Sequence, residues 1–365
     1  MHTPEPVTPP QPDAVRGAAR TNPLTTGSDL AGTATTPATM RAIVQDRYGS
    51  ADELRLAEIP VPRPGAGEVL VHVAAAGVDS GTWHVMTGTP YLARLVLGLR
   101  RPKRRVPGLD LAGTVVAVGP GVERFAVGDE VFGIGTGSFA EYTVALERKL
   151  AHRPAMLAAH DAAAVPVSGL TALHALRDVA DVQPGHRVLV IGASGGVGSH
   201  AVQIAVALGG EVTGVCSAGK SDLVRSLGAT EAIDRSVPRW WQPLLDRSVR
   251  FDAVIDIAGR LPVRVLRRLT TPTGSLVFVG GEGGGPISGG MGRQLRGVLR
   301  GLVSRQRITM LIAKEDGAGV ADLGRMIEEG RVAPRVDRVF PLAEAAEALR
   351  MLERGEVRGK LVIDI

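Results

Sequence analysis

The apolar positions change rhythm once along the chain. Over residues 40–44, 69–75, 111–118, 130–132 and 139–144 they come as short runs, separated by turn formers such as Gly119-Pro-Gly121 and Gly128-Asp129. Runs of that length bounded by glycine and proline predict strands, and so a mostly β region from 40 to about 160. After about 165 the pattern alternates. A short apolar run at 187–191 precedes helical spacing over 196–208, the strand-like run 211–215 precedes helical spacing over 221–227, and 251–257, 274–279 and 307–311 continue the series. Short apolar strands interleaved with helices predict a parallel sheet covered on both faces. A helix over 342–352 and a strand over 360–365 close the chain, and no internal repeat is evident.

Residues 1–39 depart from both patterns. Rich in Pro, Thr, Ala and Gly, they lack the apolar surface to offset their ordering entropy, so a disordered tail is expected, with the globular part opening at Met40. The 365-residue length leaves room for two ordinary domains. A single cysteine, Cys216, excludes an internal disulfide and any zinc site of several thiolates; at the end of a strand it reads as packing rather than as a nucleophile. Aromatics at 3% leave little for stacking single-stranded nucleic acid, which is not an expected partner. No apolar run approaches the ~20 residues of a membrane span, and no secretory h-region stands at the N-terminus. A cytoplasmic protein without a span is therefore expected. The formal charge of +5 suits phosphate-bearing ligands, anionic lipid or nucleic acid without choosing among them. Its densest cluster, Arg100-Arg-Pro-Lys-Arg-Arg105, reads as a solvated loop, with nucleic acid or an anionic membrane as the alternatives. The stretch 291–308 mixes Leu, Val and Arg at near-helical spacing, which suits a helix of the second region, a subunit contact or a bilayer surface.

The most informative segment is Gly192-Ala-Ser-Gly-Gly-Val-Gly198, between a predicted strand and a predicted helix. As a dinucleotide fingerprint, Ala193, Gly195 and Gly198 take its three small positions: tight turn, close approach to the pyrophosphate, and helix–strand packing. Ser194, Gly196 and Val197 complete the loop, whose free N–H groups at the helix start would receive the diphosphate. A site selective for NAD places Asp or Glu about 20 residues on, at the ribose 2′-OH. Here Cys216-Ser-Ala-Gly-Lys220 follows the second strand without a carboxylate, while Ser217 and Lys220 would welcome a 2′-phosphate, so NADP(H) is the expected cofactor.

With that loop behind a β region, the chain resembles the medium-chain dehydrogenase/reductase superfamily, and within it the zinc-independent quinone oxidoreductase-like branch. The segments carrying the resemblance are Pro107-Gly-Leu-Asp-Leu-Ala-Gly113, Val127-Gly-Asp-Glu-Val-Phe132, Phe139-Ala-Glu-Tyr142, Ala164-Val-Pro166, Gly169-Leu-Thr-Ala172, the 192–198 loop, 212–216, Arg225-Ser-Leu-Gly-Ala229 and Arg358-Gly-Lys-Leu-Val362. Their joint order and spacing are specific over 40–365.

The resemblance implies an α/β fold: a GroES-like, mostly β catalytic domain from 40–165 and 311–365, and a Rossmann doubly wound coenzyme domain from 166–310. It implies a homodimer and a small-molecule carbonyl or quinone substrate facing the nicotinamide. Thr171, Ala258, Gly280 and Gly281 fall where relatives flank the nicotinamide ring. Arg235 stands where relatives that bind the 2′-phosphate often carry Tyr; it reads either as a bidentate partner of that phosphate or as a solvent-facing arginine. Zinc-dependent relatives hold catalytic metal with Cys, His and Cys; the matching positions here are Asp79, Leu109 and Ser168, so no metal site is expected. His84 falls where zinc-dependent relatives often carry a proton-relay histidine and many quinone reductases carry Tyr. It reads either as a proton donor or as a partly exposed histidine packed beside Trp83 and Met86, with Asp79 as its orienter or as a simple start of a helix or turn. Lys360 is read as a surface lysine. The implied activity is hydride transfer from NADPH to a quinone, enone or other activated carbonyl. Two alternatives stay open: an NADPH-binding interaction protein with little turnover, and a reductase component of a biosynthetic complex.

Overall fold

In the computed structural model, which describes residues 36–281, 285, 287–301 and 304–365, the short β-branched runs of the first region pair antiparallel. β1 (Thr39–Val44) and β2 (Arg55–Pro60) form a ribbon, tied to the rest of the β region by the Ile43 N–H donating to the Phe139 carbonyl at 2.9 Å. β3 (Glu68–Val78) pairs with β4 (Asp110–Val118) and with β6 (Tyr142–Leu146); β4 pairs with β5 (Glu130–Ile134), and β5 with β7 (Leu150–His152). The expected tail, 1–39, lies outside the described residues except for 36–39, where Thr39 opens β1.

The second region is a parallel sheet of β8 (Arg187–Ile191), β9 (Glu211–Cys216), β10 (Glu231–Asp234), β11 (Phe251–Asp256), β12 (Thr270–Phe278) and β13 (Arg307–Met310), in the spatial order β10-β9-β8-β11-β12-β13. The central strands are buried almost throughout, as two covered faces require. The order reverses between β8 and β11, the switch point at which doubly wound sheets bind ligands. The chain then returns: β14 (Val336–Pro341) and β15 (Lys360–Asp364) pair in parallel, and β15 lies antiparallel to β3. The fold is thus a GroES-like β unit with a Rossmann parallel sheet.

One buried cluster spans the two sheets. It runs from Ala112 and Phe132, through Leu170 and Leu173 of the helix Pro166–Leu173, to Val188 and Val190 of β8. A second fills the β unit around Val71, Leu111, Phe139 and Leu361. The strand expected over 139–144 moves to Tyr142–Leu146, because pairing with β3 fixes its register while Phe139 and Ala140 turn inward beneath β1. The helices Ser80–Thr87, Pro166–Leu173 and Gly317–Glu328 had no sequence-predicted counterpart. Leu342–Glu344 is a 3-10 turn, and the last helix begins at Ala345.

Candidate functional site

At the head of β8 the backbone turns through Gly192, whose φ of 98° requires glycine. The tight turn expected at Ala193 therefore falls one residue earlier, while Ala193 is buried against Gly214. Gly192 and Ala193 both donate to the Val215 carbonyl at 3.0 Å, which fixes the loop to β9. Gly195 stands at the N-cap of the helix Gly196–Ala207. A Cβ there would meet nothing closer than the Gly192 carbonyl at 3.8 Å, so the space above the helix start is open. A Cβ at Gly198, by contrast, would lie 2.0 Å from that carbonyl, so helix and strand touch through bare backbone. Open amides over a rigid turn fit a diphosphate. Ser194 is buried and accepts at its carbonyl from the Gly359 N–H at 2.9 Å, Gly196 lies beside Ser168 and Lys360, and Val197 is half-buried.

Ser217 begins a 3-10 turn beyond β9, and the Lys220 ammonium donates to the carbonyls of Gly355 (2.9 Å) and Val357 (2.7 Å). Arg235 is tied to the same strand end by its N–H to the Cys216 carbonyl at 2.7 Å. Arg358, which sequence reasoning did not single out, reaches across to the Gly219 carbonyl at 2.7 Å. Burial lowers the Lys220 pKa, and the charges of Arg235 and Arg358 add to that while Asp337 opposes it, so three cations share one neighbourhood. An incoming phosphate would relieve that repulsion. Cys216 is buried and its thiol is pushed up by that burial, in keeping with a packing role.

On the sheet's other side of the switch point, Ala258 donates to the Ile191 carbonyl at 3.2 Å. The Gly280 carbonyl accepts from Gln294 at 2.7 Å, and that of Gly281 accepts from the Gly290 N–H at 3.0 Å. Beneath them Asp256 is fully buried, bonds Arg293 at 2.7 Å, and is held above the ordinary carboxylate range by burial against that opposing charge. Thr171 is half-buried on the helix Pro166–Leu173, its hydroxyl donating to the Val167 carbonyl at 2.6 Å.

His84 is half-buried on the helix Ser80–Thr87. Its Nδ1 meets the Thr89 carbonyl at 2.7 Å, which places the proton on Nδ1, and Nε2 has no partner among the described residues. Thr89, not Asp79, orients the ring. The Asp79 carboxylate is buried and caps the helix, accepting from the Thr82 N–H at 2.8 Å, because the first turn of a helix leaves its amides without partners.

Lys360 requires a second correction. It is 2% exposed, and its ammonium bonds the fully buried Asp110 at 2.7 Å. Asp110 also accepts from the Val167 N–H at 2.7 Å, at the start of the helix Pro166–Leu173. Burial pushes its carboxyl up, Lys360 opposes that, and the charge of Asp79 adds to it. Solvated lysine is the usual state, but here β15 enters beside β3 and carries Lys360 under the cofactor loop. Both partners lie in segments that carry the family resemblance, which was the signal available in the sequence. Next to them His200 is buried, bonded through Nδ1 to the Gly196 carbonyl at 3.0 Å, and its pKa is driven down to about 4 by burial.

The family described as Alcohol dehydrogenase GroES-like domain matches residues 65–155, and that described as Zinc-binding dehydrogenase matches 227–363. Among curated relatives, the chloroplastic quinone-oxidoreductase QR1 of Triphysaria versicolor is 33% identical over 336 residues, covering 89% of this chain and 98% of the relative. The chain belongs to the medium-chain dehydrogenase/reductase superfamily, in its quinone oxidoreductase-like branch. It is an oxidoreductase of that superfamily. Within the superfamily, the quinone oxidoreductase of Coxiella burnetii matches with a TM-score of 0.78 and 28% identity over 90% of this chain and 99% of the other. A mycobacterial protein solved with NADPH matches with a TM-score of 0.74 and 25% identity over 89% and 100%.

The second family's description implies zinc, and the residues here do not fit it. Leu109 has no donor atom, the Asp79 carboxylate is used as a cap, and Ser168 alone makes no tetrahedral set. Among the described residues no group of three or more His, Cys, Asp or Glu is arranged to hold a metal.

Proposed function

We propose that this superfamily member uses NADPH to reduce a quinone, enone or other activated carbonyl. The observation that carries the reading is the cradle at the switch point, where the forced glycine turn at Gly192 leaves open space over the first, unpartnered amides of the helix Gly196–Ala207, while Lys220, Arg235 and Arg358 cluster at the end of β9, the strand to which the loop is bonded. Residues 216–221 after β9 carry no Asp or Glu, and Asp234, which stands beside Cys216 on β10, accepts from Ser236 and the Ala218 backbone N–H, which favours NADPH over NADH. Ser217 adds a donor to that cluster. Thr171, Ala258, Gly280 and Gly281 form the wall for the nicotinamide.

A bound reduced nicotinamide supplies a hydride equivalent. The chain's part is to hold the acceptor near it, exclude water, and meet the negative charge left on the acceptor. His84 is the group for that last task. With Nδ1–H committed to Thr89, a proton held at Nε2 makes an imidazolium that can donate to the reduced acceptor. Asp79 is a positioning residue, since it fixes the start of the His84 helix. No step runs through a metal.

The boundaries 40–165 with 311–365 for the catalytic half and 166–310 for the coenzyme half belong to the same proposal, as does a cytoplasmic homodimer. Among the described residues β13 pairs with a strand on one side only, and such an edge supports self-association.

The test is nucleotide consumption with NADPH and NADH over a panel of quinones, enones and simple ketones, together with nucleotide titration. NADPH-dependent reduction of the activated acceptors is expected. Turnover with NADH alone would refute the cofactor preference, and nucleotide binding without any turnover would leave an interaction protein. His84→Ala should lower kcat with NADPH affinity nearly unchanged, and unaltered turnover removes His84 from the mechanism. Arg358→Ala should weaken NADPH and leave NADH binding unchanged.

A further inference from the structure

The exposed apolar side chains of this molecule are not evenly spread. On the short helix Arg94–Leu97 and the residues after it, Leu95 (69%), Val96 (73%) and Leu99 (68%) stand open to solvent. On the helix Met291–Gly301, Met291, Leu295 and Leu299 recur every fourth residue, and all three are exposed. The two segments meet where the Leu92 N–H donates to the Ile287 carbonyl at 3.1 Å. Single exposed leucines are ordinary, but a joined run of them marks a contact surface.

Charge is sorted on the same surface. Neither 89–105 nor 287–301 contains an Asp or Glu. Arg100, Arg101, Lys103 and Arg104 are exposed and have no ion-pair partner among the described residues, while Arg105 is bonded to Asp46. A recess of about 890 Å³ is lined by Leu99, Arg100, Arg101, Pro102, Lys103 and Arg105, with Asp46 its single carboxylate. The apolar and basic parts are folded as one piece: the Lys103 N–H returns to the Leu97 carbonyl at 2.8 Å, Tyr48 donates to the Gly98 carbonyl at 2.7 Å, and the Arg94 guanidinium lies 4.5 Å from the ring centres of Tyr48 and Tyr91.

We infer that this surface docks on an anionic lipid bilayer, with Leu95, Val96 and Leu99 entering the interface and Arg100, Arg101, Lys103 and Arg104 bound to headgroup phosphates. A bilayer of acidic lipid is the partner that matches both halves, apolar beneath and anionic above. A second copy of the same patch would set cation against cation, and a nucleic-acid backbone would leave the leucines unburied. No helix among the described residues is long enough to cross a membrane, so the attachment is interfacial. The same segments adjoin the candidate site: Thr89 orients His84, and Gly290 binds Gly281. A lipid-borne acceptor would thus reach the cleft from the docked face, although docking itself stands whether or not the reductase reading does.

The test is co-flotation of the full chain, without nucleotide, with phosphatidylcholine vesicles that contain or lack phosphatidylglycerol, across a salt series. Binding only to the anionic vesicles, falling with salt, is expected. The triple variant Arg100→Glu/Arg101→Glu/Lys103→Glu should bind on the order of 100-fold more weakly. Leu95→Ser/Val96→Ser/Leu99→Ser should weaken binding at every salt concentration and leave its salt dependence unchanged, because the charge contacts remain. Equal binding to neutral vesicles, no binding to anionic ones, or wild-type binding by both variants overturns the inference. So does a change in oligomeric mass in place of lipid binding, or binding to duplex DNA but not to vesicles. The wild-type lipid and salt dependence decides the matter even if a variant misfolds.

Discussion

On the coenzyme side of the proposed cleft, geometry is set by backbone. The loop 192–198 is bonded twice to β9, its turn falls on a glycine of positive φ, and Gly198 leaves no room for a methyl group. On the acceptor side it is set by side chains on small elements. His84 rides a helix of eight residues, oriented by one carbonyl and started by one carboxylate. Between the two lies the buried pair Lys360–Asp110, which ties β15, β4 and the helix Pro166–Leu173 together beneath the cofactor loop. The contrast teaches why one nucleotide-binding half can serve many acceptors. A cradle of amides does not depend on which side chains surround it, whereas the acceptor wall is rebuilt by single substitutions.

The sharpest way to break the contrast is to cut the tie between the two sides. Lys360→Met leaves Asp110 buried beside Asp79 with no cation, and should cost about 3–5 kcal/mol in chemical denaturation. Adding Asp110→Asn should recover a large part of that; equal losses in the single and double variants would mean that the pair is not the cause. On the coenzyme side, Gly198→Ala forces a methyl group against the Gly192 carbonyl and should cost roughly 3 kcal/mol of stability, together with nucleotide affinity. Wild-type affinity and melting temperature in this variant would show that the loop has slack.

Acid provides a third probe, at His200 under the loop. The folded group titrates near 4 and the unfolded one near 6.5, so the unfolded chain takes up its proton first as pH falls. Its contribution is complete above pH 6.5 and drains away between 6.5 and 4, amounting to about 2 kcal/mol lost from pH 7 to pH 5. His200→Asn should flatten that slope, and an unchanged slope would show that other groups carry it. The smallest effect is expected on the acceptor side. Asp79→Ala removes a helix cap worth about 1 kcal/mol and should lower the melting temperature slightly, with nucleotide affinity intact. A loss of nucleotide binding there would erase the distinction between the two sides.

Much of the cofactor half was legible from residue order alone. A short apolar run, seven small residues and a helical repeat are local signals, and the strand 187–191 and the helix from Gly196 stand where their spacing put them. The acceptor half was less legible. The helix Ser80–Thr87 is short and begins at a single capping aspartate, so its periodicity carried little signal. Phe139 read as strand because its neighbours are apolar, yet pairing with β3 left it in a buried loop.

By itself, the sequence determined the alternation of short apolar strands and helices, the glycine positions where no side chain fits, and the lack of a carboxylate after β9. These features arise from steric limits and hydrogen-bonding needs that act over a few residues. Only the tertiary structure decided that Lys360 is buried against Asp110, that Arg358 joins Lys220 and Arg235, and that Thr89 rather than Asp79 orients His84. Each of those contacts depends on where a distant strand or turn closes on the site. The charge of a side chain is written in the chain, but its partner and its exposure to water are properties of the assembled fold.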